Sequence, residues 1–392
     1  MRNRPKNILV INSGSATLKF TLFELAGLRE RLKGIVERIG LKNPFFEYQA
    51  AGQRLAHVNF APGIKNHTEA LRLVLGKIKS FNFDIDIVGH RIVHGGEKLT
   101  RPVLINPRIL KTIENYSSLA PLHNPANVDG IRACLRLLPR IKNIAHFDTA
   151  FHSTLKPKAF LYSLPLKYYS KHQIRKYGFH GLSHQYVAEE AAKRLGRPLA
   201  KLNLITCHLG SGCSLTAIQN GRSIDTTMGF TPLAGLTMAT RSGDIDPGAV
   251  FYLLDELGLS LPEVKTLLNK KSGWRGLSGL SSDLREVLIA AGWPVPGFRA
   301  RRKFSQKERQ RAKQALEVFV YSVQKYLGSY LSLLPRTDAI VFTAGIGERN
   351  STVRQLILQG LRKPKETKVL VIPTSEEYII ARAAAKFIKI SS

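Results

Sequence analysis

The feature that most constrains this chain is an internal echo. The stretch NILVINSGSATLKFTLFE begins at Asn7, and NLITCHLGSGCSLTAIQNG begins at Asn203. Each is an apolar run, then a Gly/Ser loop (Gly14–Ser15 and Gly210–Ser211), then a second apolar run. Asn12 in the first copy stands where His208 stands in the second. After the second copy, QNGR supplies an Asn-Gly pair, the strongest short hairpin signal. Alone, either stretch reads as a hairpin turn. Two of them, one near the start of each half, predict a duplicated α/β unit.

The rest of the pattern agrees with two lobes. Residues 183–195 predict a helix with Ser183 as its cap, ending before Gly196 and Pro198. Residues 307–334 carry apolar positions at Leu316, Phe319, Val323, Leu327, Leu331 and Leu334, a helical stripe that reads as core. Strand-like runs fall at 85–93, 142–147 and 338–343. The mixture predicts an α/β fold of two lobes, with a ligand in the cleft between them. A length of 392 residues suits two or three domains.

Charge narrows the partners without choosing one. There are 59 Lys and Arg against 28 Asp and Glu, a formal net charge of +31. Such a field attracts anions, although basic residues spread over solvated faces explain it as well. The basic run at 291–313 reads as a solvated face, because no nucleic-acid signature accompanies it. Cys134, Cys207 and Cys213 show neither CxxC pairing nor zinc spacing, which fits a reducing, cytoplasmic setting. No run approaches a membrane span, and the N-terminal apolar run is too short for a signal sequence.

Four small-residue loops could carry chemistry: 12–17, 208–212, 278–283 and 344–348. Glycines let backbone N–H groups approach a phosphate. Neither a Walker A loop nor a dinucleotide GxGxxG is present. Charged residues also sit in apolar or Gly-rich surroundings: His90, Arg91 and His94; His146, Asp148 and His152; His180; and Arg241, Asp244 and Asp246. Taken singly, each reads as a turn cap. His146, Asp148 and His152 match no common zinc spacing. Arginines, a histidine and acids alongside phosphate-type loops suit phosphoryl transfer, which needs positioning and charge neutralisation more than covalent help.

These residues lie in an ordered set of motifs: VINSGSATLKF, GHRIVHGGEKL, APLHNPAN, FDTAFH, YGFHGLSH, HLGSGCS, TPLAGLTMATRSGDIDPG, SGLSSDLR, FTAGIGE and VIPTSEE. The set resembles the acetate/propionate kinase family over nearly the whole chain. The resemblance implies duplicated ribonuclease-H-like domains of the actin-like ATPase type. It further implies ATP + acetate ⇌ ADP + acetyl phosphate, with Mg²⁺ (or Mn²⁺), and a homodimer. A first domain at 1–150 would be joined by a C-terminal helix at about 376–392, with a second domain at 151–375.

Site roles carry over by matching position. Arg91 and Arg241 should bind the carboxylate and the transferring phosphoryl group, His180 should stabilise the transition state, and Asp148 matches the family's catalytic acidic residue. Val93, Leu122, Phe179 and Pro232 match the acyl pocket, with His123 beside it. Thr17 and Lys19 fall on the phosphate side. His208, Leu209, Gly210, Ser211 and Gly212, then Asp283, Leu284 and Arg285, then Gly345, Ile346, Gly347, Glu348 and Arg349 should hold the nucleotide. Asn12 and Glu376, with Glu377 as the alternative, should support the metal. Acetate ionises near the Glu range, about 4.3, so it needs no general base. Asp148 is therefore expected to orient Mg²⁺ or an arginine.

The chain also departs from the family. Ser211 and Arg349 stand where Asn is usual, and Ala16 sits in a centre that is usually Ser-rich. Residues 291–305 look inserted, and 361–371 look shortened. Alternatives are a propionate or other short-chain acyl kinase, a catalytically reduced nucleotide-binding relative, and a nucleic-acid binder using the basic charge. Nucleic acid is not the expected partner.

Overall fold

The computed structural model describes residues 5–60, 63–121, 123–300 and 302–389. The chain divides into two compact units, one running to Ala150 and resuming at Ser375, the other Phe151–Thr374.

The first unit is built on an eight-stranded sheet. Its strands are β1 (Asn7–Ser13), β2 (Thr17–Glu24), β3 (Arg29–Glu37), β4 (Phe45–Ala50), β5 (Ala56–Asn59), β6 (Ile87–Ile92), β7 (Val103–Leu104) and β8 (Lys142–Phe147), in the order β5-β4-β3-β2-β1-β6-β8-β7. β1 pairs antiparallel with β2 and parallel with β6, and β6 runs parallel to β8. Leu9 and Ile11 join a core with Leu71, Val74 and Ile78 of helix His67–Ser80 and with Ala133 and Cys134 of helix Asn124–Leu137. Alternation turns Ile8 and Val10 to the opposite face. Helix Glu376–Lys389 packs on β1, β6 and β8. Gly89 of β6 admits it closely, since a Cβ there would lie 2.6 Å from Cγ2 of Ile380.

The second unit repeats the plan. Its strands are β9 (Asn203–Leu209), β10 (Cys213–Gln219), β11 (Arg222–Thr226), β12 (Ala339–Thr343) and β13 (Lys368–Val371), ordered β11-β10-β9-β12-β13. Three antiparallel strands are followed by two parallel ones, matching β3-β2-β1-β6-β8. This is the duplicated ribonuclease-H-like α/β fold expected from the sequence. The copies even share a fastening. The Asn7 N–H donates to Asp86 Oδ2 at 2.8 Å and the Asn203 N–H to Asp338 Oδ2 at 2.7 Å. In return, the backbone N–H of each aspartate donates to the asparagine carbonyl. The Asn-Gly pair forms the β10–β11 turn with φ of 51° and 77°, as its left-handed preference requires.

Several boundaries differ from expectation. The helix expected from Ser183 begins at Gly181, with His180 as the residue before it in a left-handed conformation, φ 57°. Ser183 does not cap it; its hydroxyl pairs with His208 instead. The long helix is Gln306–Leu333, started by a capping box between Ser305 and Glu308. The 344–348 loop is a short helix, Ala344–Arg349. Among the described residues, no helix is long and apolar enough to cross a membrane.

Candidate active site

In the first unit, the ends of β6 and β8 bring a cation and an acid together. Parallel pairing sets Arg91 opposite His146, so Asp148 emerges one step beyond the sheet, its N–H bonded to the Ile92 carbonyl at 2.9 Å. Arg91 donates from Nε to Oδ1 at 2.9 Å and from Nη2 to Oδ2 at 2.7 Å. This two-point fork fixes both planes. Glu376, at the start of the C-terminal helix, adds a second carboxylate 3.2 Å from Nε. Burial opposes the Arg91 charge, but Asp148 and Glu376 outweigh it and hold the guanidinium protonated. Burial pushes the Glu376 carboxyl up from its usual range, against the pull of Arg91.

Around this cluster lie Asn12 at the end of β1, paired across the strands with Lys19, and the turn closed by the Gly14 N–H to the Thr17 carbonyl at 2.8 Å. Asn127 spans the site, donating to the Ser13 carbonyl and accepting from the Val93 N–H. Asn124 clamps His94 by its N–H and carbonyl. Sequence reasoning gave neither asparagine a role. The signal was available: two asparagines in the opening turn of a buried helix must find partners. His123 precedes that helix and is half-buried. Leu122 lies outside the described residues.

The second unit gathers a different set. Phe179 is fully buried, and its carbonyl accepts from His152 Nε2 at 3.0 Å. His180 stacks on His208 with ring centroids 4.1 Å apart. Arg241 is half-buried and donates to the Pro232 carbonyl at 3.1 Å. No carboxylate among the described residues pairs with it, and burial pulls its pKa below the ordinary arginine value. A Cβ built on Gly212 would stand 3.3 Å from His180 Nε2 and 3.6 Å from Arg241 Nη1. A glycine, an imidazole edge and an arginine lacking a counter-charge therefore converge.

Beside them a cavity of about 550 Å³ is lined by Gly210, Ser211, Asp283, Leu284 and Arg285, and by Gly345, Ile346 and Arg349. Asp283 caps the helix Leu284–Ala290 and holds Arg285 in a fork. That hydrogen bond keeps the Asp283 carboxyl below the usual range. The 291–305 segment reaches the same cavity through Val295 and Pro296, and Phe298 lies under the Arg285 guanidinium at 4.4 Å.

Some expected residues stand apart from this cavity. Leu209 and Gly347 are buried packing positions. Glu348 accepts from Thr374 N–H at 3.1 Å and from the Thr343 hydroxyl at 3.3 Å, tying backbone together. Asp244 accepts from the Gly235 N–H, and Asp246 caps the helix Pro247–Asp255. Thr17, Lys19 and Val93 belong to the first unit; Phe179 and Pro232 belong to the second. His146 and His152 fall in different units, and no group of three potential metal ligands occurs among the described residues.

Comparison with known proteins converges on one family. The Acetokinase family model matches residues 7–365. An acetate kinase of Geobacillus sp. (strain WCH70) is 47% identical over 98% of this chain and 99% of the relative. One of Bacillus subtilis (strain 168) is 44% identical over 97% of this chain and 99% of the relative. Among solved structures, a Porphyromonas gingivalis acetate kinase superposes with a TM-score of 0.86 at 35% identity, covering 98% of this chain and all of that one. A Francisella tularensis propionate kinase superposes with a TM-score of 0.88 at 37% identity, covering 97% and 99%. With its duplicated fold, its arginine–carboxylate cluster and its glycine-lined cavity, the chain belongs to the Acetokinase family.

Proposed function

We propose that this chain is an acetate kinase, catalysing ATP + acetate ⇌ ADP + acetyl phosphate as a cytoplasmic homodimer. The observation that carries the site assignment is Arg241. A half-buried guanidinium without a carboxylate partner is costly unless an anion arrives. The ligand that arrives here is the transferring phosphoryl group. An acetate oxygen attacks the γ-phosphorus, the bond to the bridging oxygen breaks, and its electron pair leaves on ADP. No proton changes hands, because acetate is already ionised at neutral pH. Arg241 neutralises the equatorial oxygens as charge spreads over them, and His180 donates a hydrogen bond to one of them. The cavity lined by Gly210, Ser211, Asp283 and Gly345 takes the nucleotide.

Arg91 steadies the carboxylate end. Asp148 orients Arg91 through the fork and abstracts nothing. The oxygen donors of Asn12, Asp148 and Glu376 suit a hard cation. Having few carboxylates fits Mg²⁺, which keeps waters and substrate phosphates among its ligands, with Mn²⁺ as the substitute. When bound, the ion neutralises phosphate charge. The methyl-group assignments carried by the resemblance fall, among the described residues, on Val93 in the first unit and on Phe179 and Pro232 in the second.

A hydroxamate assay with ATP, Mg²⁺ and a series of short carboxylates tests the reading. Wild type should form acetyl hydroxamate, and Arg241→Ala and Arg91→Ala should lose it. If wild type is as inert as the variants, the assignment fails. The likeness to a propionate kinase favours a second reading, in which kcat/KM is higher for propionate; the same series separates the two acids.

A further inference from the structure

Two imidazoles of the second unit are each backed by a chain of hydroxyl groups. Helix Gly181–Leu195 sets His180, just before its start, and His184 four residues on along one face. His184 lies between two hydroxyls: Nδ1 is 2.7 Å from Thr206 Oγ1 and Nε2 is 2.8 Å from Ser214 Oγ. Ser214 Oγ is in turn 2.9 Å from Nδ1 of His180. The second chain is shorter. Thr374 donates its hydroxyl to Ser183 Oγ at 2.8 Å, and Ser183 Oγ is 2.7 Å from Nδ1 of His208.

Proton counting fixes the direction of each chain. A hydroxyl has one hydrogen, and a neutral imidazole has one N–H and one acceptor nitrogen. Ser183 receives from Thr374, so its own hydrogen goes to His208 Nδ1. In the longer chain the only side-chain hydrogen bond of Thr206 Oγ1 among the described residues is the one to His184. Thr206 is fully buried. If it accepted rather than donated, its O–H would be buried without an acceptor, a cost of a lost hydrogen bond or more. Thr206 therefore donates to His184 Nδ1, His184 donates from Nε2 to Ser214, and Ser214 donates to His180 Nδ1.

We infer that these two chains lock His180 and His208 as neutral imidazoles, each carrying its hydrogen on Nε2. Thr206, His184, Ser214, Thr374 and Ser183 are then positioning residues for a pair of N–H donors. The stacking opposes charging both rings at once, since two imidazolium rings with centroids 4.1 Å apart would repel. Burial also keeps His184 from charging, with His152 and His208 adding to the effect. Both Nε2 edges lie along the Gly210–Gly212 loop. A Cβ on Gly212 would be 3.3 Å from that of His180, and one on Gly210 would be 3.9 Å from that of His208. Protonating His180 would require the whole longer chain to reverse and would orphan the Thr206 hydroxyl. The inference deepens the kinase reading by stating which proton form His180 presents to the phosphoryl oxygens.

The test is a long-range ¹H–¹⁵N correlation spectrum of the full chain labelled with ¹⁵N-histidine. The two rings are assigned by the signals missing from His180→Gln and His208→Gln. Both should show the Nε2–H form near neutral pH. Ser214→Ala should turn His180 into a mixture of forms, leave His208 unchanged, and lower kcat about tenfold with the acetate KM within about twofold. Ser183→Ala should do the converse to His208. Thr206→Val, which keeps the shape, should loosen the His180 preference without unfolding the protein. An Nδ1–H or imidazolium form in wild type overturns the inference, as does a Ser214→Ala spectrum with His180 unaltered. If wild type makes no acyl phosphate but shows both predicted forms, the kinase reading fails and the inference stands.

Discussion

Arg91 grips Asp148 with two nitrogens, Nε on one carboxylate oxygen at 2.9 Å and Nη2 on the other at 2.7 Å. The fork makes the acid a holder of the arginine. Asp148→Asn keeps the shape but puts an amide N–H₂ against a guanidinium, turning one attractive contact into a repulsive one. We expect kcat to fall by about two orders of magnitude, the effect of misplacing a binding group, and the response to Mg²⁺ to weaken with it. Raising the pH should restore nothing. Recovery of the Asn variant at high pH would instead make Asp148 a base.

The 291–305 segment makes a second expectation specific. Phe298 lies under Arg285, and Val295 and Pro296 line the same cavity. Exposed cation–π contacts contribute about 0.5–1 kcal/mol, or two- to fivefold. Phe298→Ala should therefore raise the KM for ATP by about that factor and leave the acetate KM alone. Initial-rate kinetics with each substrate varied would decide it, and a change confined to acetate would contradict it.

Acid stability follows from the buried histidines. Burial holds His90, His94, His146 and His152 down to about 4, and His184 well below its usual value. All are neutral when folded, while the unfolded chain takes up their protons below about 6.5. The folded state therefore has its full stability above about 6.5 and loses it as the pH falls toward 4, by about 1.4 kcal/mol per pH unit for each extra proton bound on unfolding. Melting temperatures at a series of pH values should drop steeply through this window; a flat profile would show that the rings charge in place.

Gly89 offers a packing test. A Cβ there would come within 2.6 Å of Ile380 Cγ2. Gly89→Ala should destabilise by about 1–3 kcal/mol, as overpacking does. Ile380→Ala removes the obstructing methyl, so the double variant should be more stable than the summed single changes. Additive denaturation energies would mean that the helix simply shifts away.

The duplication was legible because strand, loop and strand recur with Asn7 and Asn203 at equivalent places, and both asparagines proved to be fastened to an aspartate in the same way. Arg91 and Asp148 were legible as candidates through their apolar and glycine-rich settings. Their fork was not, since it depends on the parallel register of β6 and β8. The helical turn at Ala344–Arg349 was hidden behind two glycines, which locally argue for a loop; packing against β9 and β12 overrides them. Arg241 gave no local sign that it would lack a carboxylate, because that depends on what folds near it. Ser183 looked like a cap because it preceded an apolar period, whereas its hydroxyl is used by His208.

The helix Glu376–Lys389 belongs to the first unit, although the whole second unit precedes it in the chain. Ile379, Ile380, Ala381 and Ala384 are buried there, and Glu376 completes the carboxylate pair on Arg91. During synthesis one face of β1 and β6 therefore stays uncovered until Glu376–Lys389 has been made. The first unit is thus completed only after the second has been made, and Arg91 gains its second counter-charge only then.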